Sequence, residues 1–213
     1  MSAPLKDLRV IDLSTVLAGP NCARYFADFG ADVIKVEKPG VGDSLRGMAW
    51  RDPRDETGLW WKLVNRNKRN IALDLKLDDD REVFLKLIDD ADVLVENFRP
   101  GTLERLGVGP DVLLQRNSKL VITRVSGFGQ TGPYAQRPGY DFIIQGLGGF
   151  MSVTGEADDL PGGGPQKAGV AIVDLFTGMY ASSAILAAVI HRDRTGLGQY
   201  IDMALLDTQI AVM

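Results

Sequence analysis

Among the residues able to do chemistry, Asp174 stands out by its surroundings. It sits in the run VAIVDLFTG, where four of the five preceding residues are apolar and none of the nearest neighbours is basic. An ionised carboxylate in such a setting is costly to desolvate unless something local compensates it, and carboxylates of this kind gather at functional sites. The same residue stands where a helical pattern begins, and aspartate is a favoured helix N-cap. The two readings are compatible, because a helix N-terminus stabilises an anionic carboxylate and keeps it nucleophilic. A second candidate is the stretch NRNKRNIALDLK at 65–76, which gathers Arg66, Lys68, Arg69 and Lys76. Such a cluster is either a phosphate ligand set or a solvated surface run.

Other reactive side chains carry less. Cys22 falls in a first helical turn, where a thiolate would be stabilised, yet a small buried residue fits the same place. His191 is the only histidine, at the end of a long helical pattern where a cation suits the helix dipole. No G-x-S-x-G elbow accompanies it, so a Ser-His-Asp triad has no support. The first βα turn, Ser14 to Pro20, is placed like that of a dinucleotide fold but lacks G-x-G-x-x-G, which disfavours hydride transfer. Gly162-Gly163-Gly164 is not followed by Gly-Lys-Ser/Thr and makes no P-loop.

The elements that must position these residues alternate. Strand patterns at 8–13, 31–37, 71–75, 91–95, 120–125 and 199–203 are interleaved with helical ones at 19–29, 78–89, 111–116, 174–192 and from 205 on. Such alternation predicts an α/β fold with a largely parallel sheet. Ligands bind such sheets at the carboxyl ends of strands, which directs attention to Ser14–Gly19, Glu37–Gly42, Asn97–Gly101 and Ser126–Gly132. Residues 40–62 read as an irregular excursion. Residues 154–167, with Pro161 to Pro165 all proline or glycine, read as a tightly turned or mobile loop. The last helical pattern reaches Met213 without a cap signal, as expected of a chain cut within a longer fold.

The 213 residues are 45% hydrophobic and 24% charged, enough for one cored domain. A net charge of −4 argues against a general nucleic-acid surface. One cysteine excludes an intramolecular disulfide and a Cys-based zinc site, and fits a reducing compartment. No metal is expected. The N-terminus lacks a secretory pattern, and residues 168–190, though long and apolar enough for a membrane span, read better as a core helix because they contain Asp174 and several small polar residues. The expectation is a soluble, cytoplasmic protein.

Taken together and in order, LKDLRVIDLSTVLAGP, GADVIKVEKPGVGD, NRNKRNIALDLK, ADVLVENFRPGTLERLG, GYDFIIQGLGG, VAIVDLFTGMYA and RTGLGQYIDMALLD resemble the class III CoA-transferases. That group includes formyl-CoA and carnitine CoA-transferases and the α-methylacyl-CoA racemases. The resemblance spans essentially the whole chain and implies a Rossmann-like large domain, of which residues 1–213 are the N-terminal part, in an interlocked homodimer. It implies coenzyme A as the acyl carrier, a small carboxylic acid as co-substrate, and Asp174 as nucleophile. It places Val16, Leu17, Ala18, Lys38, Leu73, Lys76, Asn97, Phe98 and Arg105 at CoA-binding positions, and Tyr140 near the reacting atoms. The implied mechanism passes through an aspartyl mixed anhydride and an aspartyl-CoA thioester, with Gly146 to Gly149 available for an oxyanion. Donors such as succinyl-CoA fit the DLFTG form better than formyl-CoA. Racemases carry histidine where Tyr140 stands, so racemisation, which needs a second acid/base, is the weaker alternative. A third reading is a catalytically silent CoA-binding or dimerisation module.

Overall fold

Buried strands covered on both faces read as unbroken apolar runs, and this chain is built on them. The computed structural model describes residues 3–213. In chain order the elements are β1 (Arg9–Asp12), α1 (Ala18–Asp28), β2 (Asp32–Glu37), α2 (Leu59–Asn65), β3 (Arg69–Ala72), α3 (Asp78–Asp89), β4 (Val93–Glu96), α4 (Thr102–Arg105), α5 (Pro110–Arg116), β5 (Val121–Ser126), α6 (Asp141–Leu147), α7 (Ile172–Thr195), β6 (Tyr200–Ala204) and α8 (Leu205–Val212). Short 3₁₀ turns at Ser44–Arg46 and Phe150–Val153 complete the set.

All six strands are parallel, in the order β3-β2-β1-β4-β5-β6. That is the doubly wound arrangement expected from the alternation, and its strand order reverses between β1 and β4. Successive residues serve opposite faces. Val10, Val33, Val93 and Val121 meet Cys22, Phe26 and Ala27 of α1 and Ala181, Ile185 and Ala188 of α7. Their neighbours Ile11, Ile34, Leu94 and Ile122 meet Phe84 and Ile88 of α3 and Leu113 of α5. The helix α7 is long and apolar enough to cross a bilayer by length and composition. Here one side of it packs on α1 and the sheet, while Met179, Leu186 and Ile190 stay exposed.

Several expectations shift. The third strand lies at Arg69–Ala72 rather than 71–75, because its partner β2 ends at Glu37, which pairs with Ala72. Leu73 to Leu75 therefore leave the sheet and become cavity wall. The excursion at 40–62 contains a 3₁₀ turn and leads into α2, and the short helices α4 and α6 were not anticipated. The C-terminus of α7 is closed by Gly196 at φ +78, a left-handed cap.

Candidate active site

The helix α7 starts two residues before Asp174, with Ala171 at the cap position, so Asp174 is not the N-cap. Capping is done from outside by Asp141, the first residue of α6. Its Oδ2 accepts from the backbone N–H of Val173 at 2.8 Å and of Asp174 at 3.1 Å. Its Oδ1 accepts from Gln145 Nε2, and Gln145 Oε1 in turn accepts from the N–H of Ala168 at 2.9 Å. Asp141 was missed in the sequence because the amides it caps lie more than thirty positions away. Its one local signal was an acidic residue beside Tyr140.

Burial pushes the Asp174 carboxyl up, and the neighbouring Asp141 carboxylate pushes it further, to about 7. The effect is opposite to the helix-dipole stabilisation expected from sequence.

Asp174 lines a cavity of about 200 Å³ at the carboxyl ends of the strands, at the β1/β4 switch point. Thr15 to Ala18, Asn97 to Pro100, Val125 to Gly127 and Arg137 to Tyr140, with Ala135 and Leu205, form the rest of its wall. Tyr140 thus shares the cavity with Asp174. A second cavity of similar size is lined by Lys38, Leu73, Asp74, Lys76 and Leu106. Thr15 and Phe98 belong to both walls, so the two cavities adjoin and make up a groove region along the strand ends. Of the residues singled out from sequence, Val16, Leu17, Ala18, Asn97, Phe98, Tyr140 and Asp174 fall in the first cavity, and Lys38, Leu73, Lys76 and Phe98 in the second. Arg105 lines neither; it is exposed on α4 and donates to Thr102 Oγ1 at 2.9 Å.

The basic cluster separates. Arg66 is paired with Asp28 and Arg69 with Asp32. Lys68 points inward, donating to Asp12 Oδ2 at 2.7 Å, Pro20 O at 2.8 Å and Asn65 Oδ1 at 2.9 Å. Only Lys76 of that cluster faces the groove, joined by Lys38, whose Nζ is 3.9 Å from Asp74. The register of β3 explains this, since starting at Arg69 it sets Arg69 opposite β2 and Lys68 under α1.

Asn97 lines the cavity, but its amide is engaged: Oδ1 accepts from Thr15 N–H at 2.8 Å and Nδ2 donates to Thr15 O at 2.7 Å. The expectation for Gly146 to Gly149 fails. The N–H groups of Gly148 and Gly149 donate to Ile144 O and Gly146 O at the end of α6, and none of the three glycines lines the cavity. Among the described residues, the cavity-lining amides of Leu17 and Ala18, at the start of α1, donate to no protein acceptor. Cys22 is fully buried, and its thiol is pushed up to about 12, mainly by burial, which leaves it unreactive. His191 is exposed on α7, far along the helix from Asp174.

The loop that brings Tyr140 to the cavity is held by backbone contact. A Cβ on Gly127 would collide with the Cα of Gly139, and one on Gly139 with the Cα of Gly127. Only glycine at both positions lets the strands of loop cross there.

The family model for CoA-transferase family III matches residues 5–213. A succinate–glutarate CoA-transferase from Agrobacterium fabrum is 49% identical over 99% of this chain and 53% of its own length. A succinyl-CoA:mesaconate CoA-transferase from Haloarcula hispanica is 45% identical over 98% of this chain and 53% of its own. The crystal structure of a CaiB/BaiF family protein from Brucella suis superposes with a TM-score of 0.94 at 44% identity, covering all of this chain and 56% of that one. The chain spans about half the length of the curated relatives it matches. The protein belongs to CoA-transferase family III.

Proposed function

We propose that this chain supplies the nucleophile and the CoA groove of an acyl-CoA:carboxylate CoA-transferase, with Asp174 as the catalytic residue. The observation that carries the reading is the placement of Asp174 in a cavity that shares Thr15 and Phe98 with an adjoining cavity edged by Lys38 and Lys76. Such a groove fits an acyl carrier whose thioester end and phosphate-bearing end lie well apart. The relatives named for succinate, glutarate and mesaconate support small dicarboxylic acids as donors and acceptors.

In the first half-reaction the ionised Asp174 carboxylate attacks the thioester carbonyl. The C–S bond breaks, giving a mixed anhydride and CoA thiolate, which needs no proton to leave. The thiolate then attacks the aspartyl carbonyl, forming an enzyme-bound thioester and releasing the donor acid as its carboxylate. The acceptor carboxylate reverses the sequence. The free amides of Leu17 and Ala18, at the start of α1, are donors that this chain can offer to the tetrahedral oxyanion. An anhydride demands exclusion of water, and a homodimer completed by further chain would close the groove.

Asp174→Ala in the complete protein should abolish CoA exchange between succinyl-CoA and a panel of dicarboxylates while leaving CoA binding within a few-fold. Turnover retained in that variant refutes the assignment.

A further inference from the structure

The turn between β1 and α1 is held in an unfavourable conformation by buried side chains that the transfer chemistry does not use. Val16 adopts φ +66, a left-handed conformation that a β-branched residue adopts only when its surroundings impose it. The surroundings here are specific. Asp43 Oδ1 accepts from the N–H of Val16 at 3.2 Å and of Leu45 at 3.0 Å. The Asp43 Oδ2 lies 3.2 Å from Lys35 Nζ, and Lys35 donates to the carbonyl of Ser14 at 2.7 Å. Asn97 takes both the N–H and the carbonyl of Thr15. Asp12 takes the N–H of Ser14 at 3.0 Å. Every N–H from Ser14 to Val16, and the carbonyls of Ser14 and Thr15, are thus held by side chains from β1, β2, the segment after β2, and the segment after β4.

Asp12, Lys35 and Asp43 are essentially inaccessible to solvent. Burying such a set is a poor route to stability, since apolar residues of similar volume serve as well or better. What the set achieves is geometry: it fixes the peptide planes immediately before the free amides of Leu17 and Ala18.

We propose that Asp43, braced by Lys35, is a positioning residue for the substrate turn. It holds Val16 left-handed and so aims the Leu17 and Ala18 amides into the Asp174 cavity. The residue comes from the excursion after β2, which ties that segment to catalysis without contact with the reacting atoms. Glu37 fixes Asp43 in turn, accepting from its N–H at 2.9 Å and pairing with Arg46 at 2.7 Å. The inference rests on the transferase reading for its kinetic test but not for its structural one.

The structural test is amide hydrogen exchange on the wild-type protein. The Val16 amide should be protected like a core strand amide, with Leu17 and Ala18 exchanging rapidly in the absence of CoA thioester. Fast exchange at Val16 overturns the proposal, whatever the enzyme's activity. The kinetic test is a double-mutant cycle on the complete protein. Asp43→Ala should lower kcat/KM at least about tenfold, as sub-ångström to ångström displacement of catalytic donors does. In the V16G background, where the left-handed conformation carries no side-chain penalty, the same change should cost threefold or less, on the order expected for coupled neighbours. Additive effects in the cycle, or a folded Asp43→Ala variant within twofold of wild type, refute the positioning role. If Asp43→Ala does not fold, the exchange result on the wild type decides. Failure of the transferase reading would show separately, as absence of CoA exchange in the wild type.

Discussion

Removing the charge of Asp174 should make the protein more stable at neutral pH while destroying its activity. The carboxyl is raised from its ordinary 3.8 to about 7, first by burial and then by Asp141. Between those values the unfolded chain is ionised and the folded one still protonated, so the folded state holds more protons and loses stability as pH rises. The loss begins near pH 4 and is complete above pH 7. A tenfold change in an equilibrium corresponds to about 1.4 kcal/mol, so the displacement amounts to about 4 kcal/mol at most. Water reaching the carboxylate through the cavity mouth keeps the realised value below that ceiling. Asp174→Asn has no ionisation to pay for and keeps the side-chain volume. Urea denaturation of both proteins, followed by circular dichroism from pH 4 to 8.5, reads the difference directly, since other titrating groups cancel between them. The asparagine variant should be more stable at pH 8, by one to several kcal/mol on this scale, with the gap closing towards pH 4. A variant no more stable at pH 8, or a gap that does not shrink on acidification, would refute the reasoning.

Two further outcomes follow from the same geometry. Asp141→Asn removes one of the two causes of the Asp174 shift while keeping a carbonyl oxygen for the Val173 and Asp174 amides. The acid limb of its pH–rate profile should move below that of wild type, and an unmoved limb would exclude Asp141 as a cause. Replacing Lys38 and Lys76 by alanine should raise KM for the CoA donor by about 3–10-fold per lysine with kcat little changed, fading as salt is raised. Equal effects at low and high ionic strength would mean that these lysines act through packing instead of charge.

Much of this arrangement was legible in the sequence, for reasons that can be named. The inner strands β1, β4 and β5 read as apolar runs because both of their faces are covered, whereas the edge strands β3 and β6 are largely exposed. The helix α3 was readable to the residue because Asp78 to Asp80 mark its start and Phe84 and Ile88 its buried face. The ordered motifs carried Asp174, Phe98, Tyr140 and the Lys38/Lys76 pair to one groove. The rest was hidden because it depends on partners distant in sequence. No local pattern tells that Lys68 turns inward to Asp12 while Arg66 and Arg69 turn outward to Asp28 and Asp32. Asp174 looked like a cap because it is acidic at a helix start; the capping carboxylate is Asp141, thirty-three residues earlier. Val16 carries no sign of its left-handed backbone, since glycine or asparagine would ordinarily stand there.

The crossing of Gly127 over Gly139 has a consequence for how this site can diversify. Residues 128–138 leave and return through one point, and within them Phe128 meets Tyr134 edge-on and the Arg137 guanidinium lies over the Tyr134 ring. That is the design of an Ω-loop, a closed cassette whose ends touch. A change of length or sequence within it is taken up between two fixed ends, away from Asp141 and α7. Both glycines at the neck must be kept for that, since a Cβ on either one would meet the Cα of the other.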